Sequence, residues 1–128
     1  MNFFKSIFGE SQENKDKDLN WNHLIDVSQF EIIKEESKSF PVVIFKHSTR
    51  CGISRFALSN FENAYDFSEN QVKLYFLDIL KHRDVSNAIA ETFGVRHESP
   101  QLLIVKNGNV VYHESHGQIE AEKISDFI

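Results

Sequence analysis

The chain carries a single cysteine, Cys51, set in the string Ser48-Thr49-Arg50-Cys51-Gly52-Ile53-Ser54. A thiol exposed to polar neighbours can ionise and attack a disulfide sulfur, which is the chemistry of thiol-disulfide exchange. The competing reading is a small buried apolar residue, because free cysteine is among the most buried residue types. Thr49, Arg50, Gly52 and Ser54 make a poor lining for a core position, and Arg50 adds a positive charge beside the sulfur. With one cysteine, no intrachain disulfide can form. Ser54, three residues on, cannot resolve a mixed disulfide at Cys51, so an external thiol must open it.

The elements on either side determine how Cys51 is presented. Pro41-Val42-Val43-Ile44-Phe45 is an unbroken apolar run, expected of a strand buried on both faces and ending near Lys46. After Cys51, the apolar positions Ala57, Leu58, Phe61, Ala64 and Tyr65 recur at helical spacing, predicting a helix to about Phe67 with one face on a core. Cys51 therefore falls at a strand-to-helix junction, where unpaired amide N–H groups and the helix dipole favour an anion.

The rest of the chain continues the alternation. A first strand is expected around Trp21 to Ile25. Ser28 and Glu31 have capping-box spacing, and Val27 with Ile32 has that of a hydrophobic staple, so a helix is predicted from Ser28 to Ser37. Val72, Leu74 and Phe76 alternate as a strand. Asp84 is placed to cap a helix with Val85, Ala88, Ile89 and Phe93 on its apolar face, closed by Gly94. Two strand-like runs flank Asn107-Gly108, the preferred pair for a type I′ hairpin. A last helix is expected after Gly117, burying Ala121, Ile124 and Phe127 or Ile128. The order β, α, β, α, β, α, β, β, α predicts an α/β fold with a central mixed sheet and helices on both faces.

Composition removes several classes of function. At 128 residues the chain suits one domain able to bury a core without disulfides. A net charge of -5, with Lys and Arg scattered, argues against nucleic-acid binding. No run approaches the roughly 20 apolar residues of a membrane span, and the first residues lack the features of a secretory signal, so a soluble cytoplasmic protein is expected. Residues 1–18 read as a polar N-terminal extension before a domain spanning 19–128. Within that extension Phe3, Phe4, Ile7 and Phe8 are expected to form a short amphipathic turn that docks on the domain or on a partner. The twelve phenylalanines are otherwise core material. His113 and His116 have loose metal-like spacing, but no cysteine or carboxylate constellation accompanies them, and no metal site is expected. His47 lies near Cys51 and is assigned no role.

The element order and three local matches resemble the thioredoxin fold. Cys51-Gly52-Ile53-Ser54 stands where that fold carries Cys-x-x-Cys, with Ser54 in place of the second cysteine. Glu98-Ser99-Pro100-Gln101 stands where it places a cis-proline facing the active cysteine, and Leu102 to Gly108 resembles its hairpin. The longer string from Ile44 to Ser54 is similar to the monothiol bacilliredoxins, the YtxJ-like family of the bacillithiol redox system.

The family resemblance implies an enzyme that removes bacillithiol from protein mixed disulfides. Cys51 would be the catalytic nucleophile, with bacillithiol as co-substrate, bacillithiolated proteins as partners and no tightly bound cofactor. Ser99 and Pro100 would align the incoming disulfide through the free backbone groups of Ser99. Arg50 is then the charge partner of the thiolate and of the malate carboxylates of bacillithiol, or else a solvated surface arginine. Thr49 and Ser54 donate to the sulfur in one reading, while in another Ser54 only caps the helix. Gly52 completes the loop.

Two rival functions share these residues. Cys51-Gly52-Ile53-Ser54 differs by one residue from the Cys-Gly-Phe-Ser of monothiol glutaredoxins, which share an iron-sulfur cluster between subunits. Against that, the Gly-Gly loop those proteins carry after the hairpin is here His113-Glu114-Ser115-His116-Gly117. The other rival is a non-catalytic thioredoxin-like binding module in which Cys51 is incidental.

Overall fold

A computed structural model describes residues 19–128. The amphipathic turn expected at Phe3 to Phe8 lies outside the described residues. Five strands, β1 (Trp21–His23), β2 (Val42–His47), β3 (Lys73–Asp78), β4 (Gln101–Lys106) and β5 (Asn109–Ser115), alternate with helices α1 (Gln29–Glu36), α2 (Gly52–Ala64) and α3 (Arg83–Phe93). Two 3-10 segments, His116–Gln118 and Ala121–Phe127, close the chain. The sheet order is β1-β3-β2-β4-β5. β1 and β2 run parallel to β3, whereas β4 is antiparallel to both β2 and β5.

β2 is the central strand, and every one of its residues is buried. Its alternation divides the core. Val42 and Ile44 pack with Phe30 and Ile33 of α1 and Val85 and Ile89 of α3. Val43 and Phe45 pack with Ala57 and Phe61 of α2 and Ile119, Ala121 and Ile124 of the C-terminal segment. A strand apolar on both faces has helices on both faces, as its unbroken hydrophobic run requires.

The hairpin forms as expected: Asn107 and Gly108 have φ of 52° and 81°, the positive pair a type I′ turn needs. Ser37 holds that turn from α1, its carbonyl accepting from the Asn107 N–H and its Oγ from the Gly108 N–H, each at 2.8 Å. Gly94 closes α3 in the left-handed region at φ 68°.

Five local expectations are corrected. Ser28 is already in the helical region, with φ -61° and ψ -20°, and its side chain caps nothing. Asp26 takes that part, accepting from the Ser28 N–H at 3.0 Å and from the Ser28 hydroxyl. Val27 and Ile32 are exposed, so no staple is buried. Asp84 lies inside the first turn of α3 rather than ahead of it. The approach to that helix is shaped instead by Asp78, whose Oδ1 accepts from the N–H groups of Leu80 and Lys81. The final helix is 3-10, and the three-residue spacing of Ala121, Ile124 and Phe127 suits its three residues per turn. α2 ends at Ala64, which is itself exposed.

Candidate active site

The sheet topology gathers the candidate residues at one end. β2 finishes at His47 where β3 finishes at Asp78, and Lys46 of β2 pairs with Gln101 at the start of β4. The loop 48–51, the connection 79–82 and the segment 97–100 therefore share the C-terminal edge of the parallel strands. Ser115 pairs with Gln101, which brings the end of β5 to the same edge.

Cys51 is the N-cap residue of α2, extended at φ -104° and ψ 123°. Its N–H donates to the Ser48 carbonyl at 3.2 Å, and its carbonyl accepts from the Arg55 N–H at 3.0 Å. The residue is half-buried and free of any disulfide. Among the described residues no side chain caps α2. Cys51 thus stands at the N-terminus of α2, where unpaired first-turn amide groups and the helix dipole favour negative charge.

Ser54 is fully buried. Its Oγ accepts from the Ser48 N–H at 3.0 Å and lies 2.9 Å from Nδ1 of His47, which is also buried. With the hydroxyl proton directed at a neutral imidazole, both groups are satisfied. Burial lowers the His47 pKa, opposed by the Asp78 carboxylate and assisted by the Arg55 charge. Sequence reasoning gave His47 no role. The signal was its position in β2 after Val43 and Phe45, on the face that receives α2.

On the other face of β2, the Lys46 side chain is fully buried. Its Nζ lies 3.2 Å from His97 Nδ1, which in turn lies 3.1 Å from the Ser86 hydroxyl. Burial, with Arg83 nearby, lowers the Lys46 pKa to about 8. No periodicity rule flags a lysine inside an otherwise apolar strand as buried.

The Ser99–Pro100 peptide is cis. The Pro100 carbonyl accepts from the His116 N–H at 3.0 Å, and His116 Nδ1 is 3.6 Å from Glu98 Oε1. Among the described residues the backbone N–H and C=O of Ser99 bond to nothing. Thr49 and Arg50 are exposed. The Thr49 carbonyl accepts from Arg55 Nη1 at 3.2 Å. Ile53 and Phe56 on α2 and Leu80 after β3 are exposed, giving this edge an apolar rim. A cleft of about 640 Å³, lined by Trp21, Phe40, Tyr65 and Phe67, opens at the opposite end of the sheet. No group of His, Cys, Asp and Glu among the described residues is arranged to hold a metal ion. No helix among them is long and apolar enough to cross a membrane.

A mixed five-stranded sheet with a cysteine at the N-terminus of the helix after its central strand, and a cis-proline at the same sheet edge, defines a thioredoxin-fold redox protein. Solved structures agree on the class. A candidate oxidoreductase with a thioredoxin fold is 35% identical, covering 81% of this chain and 89% of its own, at a TM-score of 0.69. Thioredoxin of Malassezia sympodialis is 18% identical over 84% of this chain and 86% of its own, at 0.64. Thioredoxin of Fasciola hepatica is 18% identical over 82% and 93%, at 0.61. Residues 22–124 match the family described as monothiol bacilliredoxin BrxC, and the chain belongs to that family.

Proposed function

We propose that this protein removes bacillithiol from protein mixed disulfides, with Cys51 as its nucleophile. The carrying observation is that Cys51 stands at the helix N-terminus without a second cysteine, while Ser54, where a resolving thiol would sit, is hydrogen-bonded to His47 and Ser48. In the first step the Cys51 thiolate attacks the bacillithiol sulfur of the modified client. A Cys51-bacillithiol disulfide forms, the bond to the client breaks, and the client thiolate leaves and takes up a proton. In the second step the thiolate of another bacillithiol attacks the bacillithiol sulfur on Cys51. Bacillithiol disulfide departs and the Cys51 thiolate returns.

The unpaired N–H and C=O of Ser99 offer an extended client segment two backbone hydrogen bonds. Ile53, Phe56 and Leu80 supply apolar contact around the reacting bond. Bacillithiol acts as co-substrate, and the cycle needs no resident cofactor. Incubating a bacillithiolated client with the protein should release the client thiol and leave a bacillithiol adduct on Cys51 by mass spectrometry, and adding bacillithiol should then remove that adduct. Client release without any dependence on Cys51 would refute this reading.

A further inference from the structure

Both Arg50 and Arg55 are close to Cys51 in sequence, and the fold treats them differently. Arg55 begins one helical turn beyond Cys51, and its side chain folds back over the loop. Nη1 donates to the Thr49 carbonyl at 3.2 Å, and Nη2 lies 3.9 Å from where a side chain on Gly52 would begin. The guanidinium is therefore pinned across the segment Thr49 to Gly52 that presents the sulfur. One N–H is used in holding it there, while the side chain remains exposed. Among the described residues Arg55 forms no ion pair, so no carboxylate of this chain neutralises it. Arg50, by contrast, is exposed and makes no hydrogen bond or ion pair among the described residues.

We propose that Arg55, rather than Arg50, forms a carboxylate-binding subsite beside the Cys51 sulfur and selects small thiol adducts that carry carboxylates. The chemistry follows from the guanidinium: a planar fork of five donors pairs with a carboxylate through two parallel hydrogen bonds, and here the fork is already oriented by Thr49. Gly52 has no side chain to crowd Nη2, and the N–H groups not used on Thr49 remain open to a ligand from solvent. This subsite rests on the proposed exchange reaction for its biological ligand, the malate of bacillithiol, although its existence can be tested without that reaction.

Iodoacetate and iodoacetamide alkylate the same thiolate by the same displacement of iodide and differ in one carboxylate. With only one cysteine in the chain, the ratio of their rates on Cys51 reads the subsite and cancels changes in thiol reactivity. Arg55→Gln should lower the iodoacetate to iodoacetamide ratio about fivefold, in keeping with an exposed but oriented charge pair. Arg55→Lys should retain part of the preference, Arg50→Gln nearly all of it, and high salt should weaken it. An unchanged ratio in Arg55→Gln, or an equal loss in Arg50→Gln, would overturn the proposal.

A second measurement separates this inference from the exchange reaction. A client carrying a mercaptosuccinate adduct is compared with the same client carrying a 2-mercaptoethanol adduct. If Arg55→Gln shifts the alkylation ratio and the wild-type protein also favours the mercaptosuccinate adduct, subsite and co-substrate class both stand. A shifted alkylation ratio without turnover of either adduct upholds the subsite and refutes the exchange reading.

Discussion

His47 Nδ1 and Ser54 Oγ meet at 2.9 Å beneath the loop that carries Cys51. One is the last residue of β2 and the other lies in the first turn of α2, so the contact ties the strand to the helix across the junction. Because the Ser54 oxygen also accepts from the Ser48 N–H, the first turn and the loop are held together by one hydroxyl.

Ser54→Ala should destabilise the protein by about 1–3 kcal/mol, since it leaves the Ser48 N–H and the His47 ring without their buried partner. Urea denaturation at pH 7 measures this. A loss below a few tenths of a kcal/mol would mean that water replaces the hydroxyl.

Ser54→Cys places a second thiol in the first turn after Cys51. Mild oxidation should give an intramolecular disulfide, seen as a mass decrease of two hydrogens and loss of both free thiols. In the exchange assay the adduct on Cys51 should then be resolved internally rather than by added bacillithiol. A variant that keeps two free thiols under oxidant would show that position 54 cannot reach Cys51.

Cys51→Ala should abolish release of bacillithiol from a modified client, because alanine supplies no attacking sulfur, while its thermal unfolding stays close to that of the parent. Cys51→Ser should be equally inactive at neutral pH. Thiol release from the client and the unfolding curve of each variant are the two measurements.

Acid should weaken the protein through His47. Its folded pKa lies below the ordinary value of 6.5, so as pH falls past 6.5 the unfolded chain takes up the proton first, and stability drops until the folded pKa is reached. His97, lowered by burial and by Lys46 and Arg83, acts in the same direction. Replacing His47 with Gln should remove part of the stability lost between pH 7 and pH 5 in denaturant titrations.

Lys46 should act at the alkaline end. Its folded pKa is about 8 against an ordinary 10.5, so below pH 8 the ammonium is charged in both states and its burial cost is fully carried. Between about 8 and 10.5 the folded protein releases the proton before the unfolded chain, and stability rises with pH. Lys46→Met should accordingly be more stable at pH 7, by roughly 1–3 kcal/mol, and lose that rise. A less stable variant would mean that the contact with His97 outweighs desolvation.

Much of this protein was legible in the chain because the relevant physics is local. The run from Val42 to Phe45 shows a strand buried on two faces, Asn107-Gly108 specifies the turn that only residues tolerant of positive φ adopt, and Gly94 marks the end of a helix. The lone Cys51 between strand and helix, with Ser54 in its first turn, defines monothiol chemistry without coordinates. Tertiary structure decided what depends on residues distant in sequence or on which way a long side chain folds. Strand alternation places Lys46 and His47 on opposite faces, but only the packed helices turn one toward His97 and the other toward Ser54. Sequence adjacency points to Arg50 alone as the charge near the sulfur and passes over Arg55. Backbone hydrogen bonding at Thr49 brings Arg55 across the loop and leaves Arg50 in solvent, because a side-chain donor finds its acceptor only after the chain has folded around it.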